Sequence, residues 1–249
     1  MAGNASSPGV SVVSRALALL YAFDEHHREL SLTKLARRAD LPVPTTYRLV
    51  GDLVTGGALH RRPDGQYVVG RRLWDLGLLA PVQSGLREIA SPFLNDIHAA
   101  TLATVHLAIR DGTQVLYVER LSGRSSVPVV NTVGSRLPMH STGVGKVLLA
   151  HAPDDVRDRA LTDLGRFTPY TITQPARLRR QLARARRDGY ATTAEEMTLG
   201  ACSIAVPIRD RSGGVAAALG IVVASLRRDR VRLLTALQVA ARGIGRSLS

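Results

Sequence analysis

Residues 31–70 read SLTKLARRADLPVPTTYRLVGDLVTGGALHRRPDGQYVVG, and the order of parts in this stretch decides the fold of the N-terminal region. Ser31 is a natural N-cap, and Leu32, Leu35 and Ala36 recur at helical spacing, so a short helix is expected to run to about Ala39. Leu41-Pro42 breaks it, because the residue before a proline is pushed out of the helical region. A second helix is expected from Pro44, tolerated in a first turn, with Tyr47, Val50, Leu53 and Val54 as the stripe that packs on the first. On this reading Thr45, Thr46 and Arg48 lie on its outer N-terminal face. Gly56-Gly57 ends the helix, and residues 58–62 and 66–69 flank Pro63-Asp64-Gly65, where the Asp-Gly pair marks a tight hairpin. Upstream, residues 14–26 carry Ala16, Leu17, Leu19, Leu20 and Phe23 on one face, with Ser14 as the expected cap. Three helices and a hairpin in this order make a winged helix-turn-helix.

Such a unit places its second helix in the major groove of DNA, where phosphate contacts position the protein and base-edge contacts specify sequence. The candidate DNA contacts are Ser31, Thr33, Lys34, Thr45, Thr46, Tyr47 and Arg48, together with Arg61 and Arg62 on the hairpin. The competing reading is an ordinary helical pair with a hairpin that never meets nucleic acid. Double-stranded DNA with a palindromic site is the expected partner, because one helix reads too few base pairs for genomic specificity; a homodimer or dimer of dimers follows.

Composition bounds the rest. The chain has 249 residues, 45% hydrophobic and 21% charged, which suits two globular domains. The first nine residues, MAGNASSPG, read as a flexible tail rather than a signal peptide, and no apolar run approaches the roughly 20 residues that span a bilayer. No membrane partner and a cytoplasmic location are therefore expected, and the single Cys202 fits a reducing compartment. The net charge of +13 is not a simple footprint of DNA, since residues 1–80 hold 10 basic and 7 acidic side chains. Much of the excess lies on one amphipathic segment, where Arg177, Arg179, Arg180, Arg184, Arg186 and Arg187 face away from Leu178, Leu182 and Ala185; a solvated helix face explains it.

The pattern changes after the hairpin. Residues 70–80, GRRLWDLGLLA, read as a linking helix whose Leu73, Trp74, Leu76, Leu78 and Leu79 offer an apolar surface to a partner chain or to their own domain. Beyond it come a helix over 86–99 and strands at 105–109, 115–121, 127–130, 202–208 and 215–224. Helices are expected over 142–150, 154–161, 176–188 and 228–248. Strands joined by short turns and mixed with helices predict an α+β domain on a largely antiparallel sheet.

Two long stretches in this region carry a specific resemblance: GSRLPMHSTGVGKVLLA, residues 134–150, and GYATTAEEMTLGACSIAVPIRDRSGGVAAALGIV, residues 189–222. With the N-terminal helix-turn-helix, they are similar in order and content to the IclR family of transcriptional regulators along nearly the whole chain. The resemblance implies a tail over 1–9, a winged helix-turn-helix over 10–70, a linker helix over 71–85 and a GAF-like sensor domain over 86–249. It also implies a small-molecule effector, with Val129, Gly143, Val144, Thr193, Ser203, Gly220 and Val222 at the matching contact positions. Strand parity independently groups Ser203 with Ala205, and Gly220 with Ala218 and Val222. Small residues on a sheet face leave either room for a ligand or space for a closely packed helix. Hydroxyls common in the family near Gly220 and Val222 are missing, which favours a larger or more apolar effector over a small carboxylate held by several hydroxyls. Pro44 also stands where a capping serine is common, so Thr45 is the alternative cap.

Several chemistries fail on their spacing. Gly143-Val144-Gly145-Lys146 lacks the preceding glycine and the following hydroxyl of a phosphate loop, since His140 and Val147 stand there. The seven histidines show no repeated ligand spacing, so no metal or other cofactor is expected. Glu195 and Glu196, being adjacent, diverge and read as solvated charges, and Cys202 reads as an inert thiol in an apolar strand. No nucleophile, base and orienting group converge, so an enzyme acting on a small metabolite is the weaker alternative to a ligand-responsive, DNA-binding regulator that represses or activates.

Overall fold

A computed structural model of the chain describes residues 11–24, 27–78, 84–123, 127 and 129–248. It divides into two compact units, residues 1–80 and 81–249.

In the first unit α1 (Val12–Tyr21), α2 (Leu32–Arg38) and α3 (Val43–Thr55) precede an antiparallel hairpin of β1 (Leu59–Arg61) and β2 (Tyr67–Val69). Leu19, Leu30, Leu35, Leu49, Val50, Leu59 and Tyr67 form its buried core. Ser31 caps α2 as expected, its hydroxyl accepting the Lys34 N–H. The first helix differs: Ser11 rather than Ser14 is the cap, and the helix stops at Tyr21 rather than at residue 26. Of the linker expected over 71–85, residues 71–78 form α4 (Arg71–Leu78), which groups with this unit, while Ser84 and Gly85 already belong to the first helix of the second unit.

The second unit is a six-stranded sheet in the order β5-β4-β3-β8-β7-β6 with every neighbouring pair antiparallel. Its strands are β3 (Thr104–Asp111), β4 (Gln114–Leu121), β5 (Arg136–Pro138), β6 (Ala191–Ala194), β7 (Cys202–Arg209) and β8 (Val215–Val223). The alternation of side chains makes two unlike faces. Val105, Leu107, Ile204, Val206, Ile208, Leu219 and Ile221 fill one core, against α5 (Ser84–Thr101) and α9 (Arg230–Ser247). The opposite face carries Ala108, Ala205 and Ala218, and against it lie α6 (Gly143–Ala150), α7 (Asp154–Thr162) and α8 (Pro175–Asp188). Bulky residues hold one layer of helices off the sheet, and small residues let α6 come down onto it. All eight residues of α6 are buried. The short β5 and β6 were not legible as strands. The strand expected over 127–130 is not one either: Val127, Val129 and Val130 belong to no strand.

Candidate functional site

The first candidate surface is the outer side of α3. Pro42 at the N-cap makes no side-chain cap bond, and the helix begins at Val43, one residue before Pro44. Its inward face is Thr46, Leu49 and Val50, with Leu53 half-buried. This corrects the sequence reading at two positions. Thr46 is fully buried and its hydroxyl has no hydrogen-bond partner, so it cannot reach DNA, whereas Tyr47 is 67% exposed. The set 46, 49, 50, 53 follows the spacing i, i+3, i+4, i+7; reading threonine as polar and tyrosine as apolar shifted the stripe by one. Arg48 is exposed, Thr45 is half-buried, and Thr33 and Lys34 are exposed on α2. Ser31 is engaged with the Lys34 N–H and the Thr33 hydroxyl. On the hairpin the two arginines differ: Arg61 lies over the Tyr67 ring, 5.8 Å from its centroid, while Arg62 pairs with Glu29 and Asp64.

The second candidate is a cavity in the sheet domain, partly open to solvent, between the N-terminal end of α6 and the small-residue face. Cross-strand register explains its floor. Thr193, Ser203 and Val222 stand opposite one another across β6, β7 and β8, and Ala205, Gly220 and His106 form the next row. All seven positions implied by the resemblance, Val129, Gly143, Val144, Thr193, Ser203, Gly220 and Val222, line this one cavity. The wall also includes His106, Tyr117, Asn131, Ser141 and Met197, which sequence reasoning missed. His106 and Tyr117 were findable from parity on neighbouring strands; Asn131 and Met197 sit on irregular segments with no periodic signal.

Several polar groups of the cavity are engaged with one another. The Thr193 and Ser203 hydroxyls are 2.6 Å apart, and the Asn131 amide lies 3.1 Å from His106 Nε2. Burial drives the His106 pKa down to about 3, with the Arg120 charge adding to it, so the ring is neutral and accepts from the amide. Its ring meets Tyr117 edge-on, with centroids 5.1 Å apart, and burial pushes the Tyr117 phenol well above its usual range. Thr142 caps α6 by accepting the Gly145 N–H at 3.1 Å.

The two glycines do not leave empty space. A Cβ at Gly143 would stand 2.5 Å from Ser203 Oγ, and one at Gly220 would stand 2.8 Å from Val144 Cγ1. Both therefore serve the close approach of α6 to the sheet, and the cavity is bounded by that contact rather than opened by it.

Behind the cavity, Lys146 is buried and donates to Glu196 Oε1 at 2.6 Å and to Gln181 Oε1 at 2.7 Å. Burial lowers the Lys146 pKa and raises that of Glu196, each against the pull of the other's charge. Glu196 is thus not the solvated charge the sequence suggested. Glu195 turns the other way, in a left-handed conformation, and its carboxylate accepts the Gly200 N–H. A lysine so enclosed also has no route to a phosphate. Burial raises the pKa of the half-buried Cys202 thiol, which keeps it protonated and a poor nucleophile.

A winged helix-turn-helix joined in one chain to a cavity-bearing sensor domain defines a ligand-responsive, DNA-binding transcriptional regulator. Residues 80–248 match the model described as Bacterial transcriptional regulator IclR C-terminal, and residues 12–63 match the IclR helix-turn-helix domain. The chain belongs to the IclR family. It is 31% identical over 247 residues to the HTH-type transcriptional regulator XynR of Escherichia coli K12, covering 97% of this chain and 98% of that one. It is 34% identical over 235 residues to BhcR of Paracoccus denitrificans, covering 93% and 84%. Among solved structures, an IclR homolog from Microbacterium hydrocarbonoxydans complexed with 4-hydroxybenzoate superposes with a TM-score of 0.91 at 36% identity, over 96% of this chain and 99% of that one. The relatives carry the names of regulators, and the chain is a regulator rather than an enzyme.

Proposed function

We propose that the effector binds in the cavity between α6 and strands β6, β7 and β8, and that Val129, Gly143, Val144, Thr193, Ser203, Gly220 and Val222 surround it. The observation that carries this reading is the convergence of all seven on one space. Among the described residues the lining holds no Asp, Glu, Lys or Arg, and its polar groups are hydroxyls, one amide and a neutral imidazole. The fitting ligand is a mostly apolar small molecule with one polar end directed at the Thr193–Ser203 pair and the capped start of α6. The 4-hydroxybenzoate bound by the structural relative shares the compact apolar ring but carries a polar group at each end, a carboxylate and a para-hydroxyl.

At the other end of the chain, α3 reads base edges and the hairpin holds the backbone. Exposed Val13, Leu17 and Tyr21 on α1, and Trp74 and Leu76 on α4, support assembly as a homodimer or dimer of dimers. A two-fold assembly fits a palindromic operator whose half-sites lie about 34 Å, one helical turn, or a multiple of it apart. The cytoplasm, where a bacterial chromosome is accessible, is the place of action.

Calorimetry with a panel of hydroxybenzoates and short-chain carboxylates, followed by operator titrations with and without the binder, tests the reading. Thr193→Val and Asn131→Ala are expected to weaken effector binding about tenfold while leaving operator affinity intact without effector. Coupling of about 1–3 kcal/mol is expected between effector and operator, equal in both directions by linkage. Full effector affinity in both variants places the site elsewhere.

A further inference from the structure

The corrected face of α3 has a chemistry that the sequence did not suggest. Of the two threonines expected at its N-terminal end, Thr46 is buried and Thr45 half-buried. What remains outward over the first two turns is Val43, 44% exposed, with Pro44, Tyr47 and Arg48. Three of these four present carbon, and Arg48 alone carries a fork of donors. One turn further on, Gly51 has no heavy atom within 4 Å of where its Cβ would stand. A glycine inside a helix costs about 1 kcal/mol relative to alanine, and here it leaves the outer surface of the helix flat at that turn.

The major groove offers one apolar feature, the thymine 5-methyl group, and offers guanine O6 and N7 as a paired acceptor for arginine. We propose that the operator half-site sets thymine methyl groups against Val43, Pro44 and Tyr47, beside a guanine read by Arg48. This rests on the reading that α3 is the base-contacting helix, and it adds the bases that helix selects. Thr46 takes no part, since its hydroxyl is enclosed in the core.

The test uses the full-length protein. Duplexes of about 30 base pairs, randomised at the centre, are selected for binding, and the enriched site is resynthesised with deoxyuridine replacing each thymine in turn. That change leaves base pairing intact and removes only the methyl. A loss of about fourfold is expected at one or two positions per half-site, the value for a single carbon group returned to water. The same substitution is expected to cost nothing further in Val43→Ala or Tyr47→Ala, both changes at exposed side chains. Guanine replaced by 7-deazaguanine is expected to weaken the wild type and not Arg48→Ala. Unchanged affinity with every thymine replaced overturns the proposal, as does a methyl effect that persists in full in both alanine variants. A library that yields no enriched sequence overturns base reading by α3 itself, which is a separate failure.

Discussion

Replacing Lys146 with methionine removes one half of a buried ion pair and leaves the other half in place. Lys146 and Glu196 have side chains only 2% and 7% exposed. Breaking such a pair from one side costs about 3–5 kcal/mol, because the remaining carboxylate keeps its desolvation cost and loses its counter-charge. Gln181 loses a donor as well. Replacing both members, Lys146→Met with Glu196→Leu, removes the charge that must be desolvated, and the double variant is expected within about 1–2 kcal/mol of wild type. The penalty of the single change depends on pH. Burial already raises the Glu196 pKa above its usual value, and losing the lysine raises it further. A group whose pKa is raised on folding holds a proton that the unfolded chain has released, so stability falls as pH rises from the ordinary carboxylate range through the folded value. The Lys146→Met penalty is therefore largest near neutrality and shrinks on acidification, as Glu196 becomes neutral in both states. Calorimetric unfolding of the full-length variants between pH 5 and 8, about the range where such domains are most stable, reads this directly. Single-variant costs below about 1 kcal/mol, or a double variant whose cost equals the sum of the two singles, would refute the argument.

Thr46→Val replaces a buried, unpartnered hydroxyl with a methyl of similar volume, so stability is expected to rise by about 1 kcal/mol with operator affinity unchanged; a selective loss of operator binding would return Thr46 to the interface. Acid is expected to destabilise the sheet domain through His106, whose pKa falls to about 3 on folding. The unfolded chain then binds the proton that the folded one refuses, so the contribution of His106 is complete above its ordinary value and is lost as pH falls below it, at about 1.4 kcal/mol for each tenfold change in proton affinity. His106→Gln removes that pH dependence, and an unchanged acid limb in the variant contradicts the assignment. On the hairpin, Arg61→Ala is expected to lower the slope of log affinity against log salt by about one, and Arg62→Ala by less, since Arg62 is already paired with Glu29 and Asp64. Equal slopes for the two variants would show that those ion pairs open on DNA.

Much of this molecule is written in local pattern. The cap at Ser31, the break at Leu41-Pro42 and the Asp-Gly hairpin each act within a few residues, so their order alone specified a winged helix-turn-helix. Alternation likewise announced β3, β4, β7 and β8, and the small residues at 203, 205, 218 and 220 marked the sheet face on which something sits close. What tertiary structure alone decided is what fills that closeness. At Gly143 and Gly220 the neighbour is a side chain of the same domain, Ser203 or Val144, and the cavity lies beside these contacts. Periodicity cannot rank a threonine against a tyrosine on one helix, because their exposure depends on what packs opposite; hence Thr46 and Tyr47 exchanged places. Lys146 and Glu196, 50 residues apart in sequence, become partners only when α6 and the segment after β6 meet. A charge pair at that separation leaves no periodic trace, since its energy comes from a shared loss of water that only the folded chain creates.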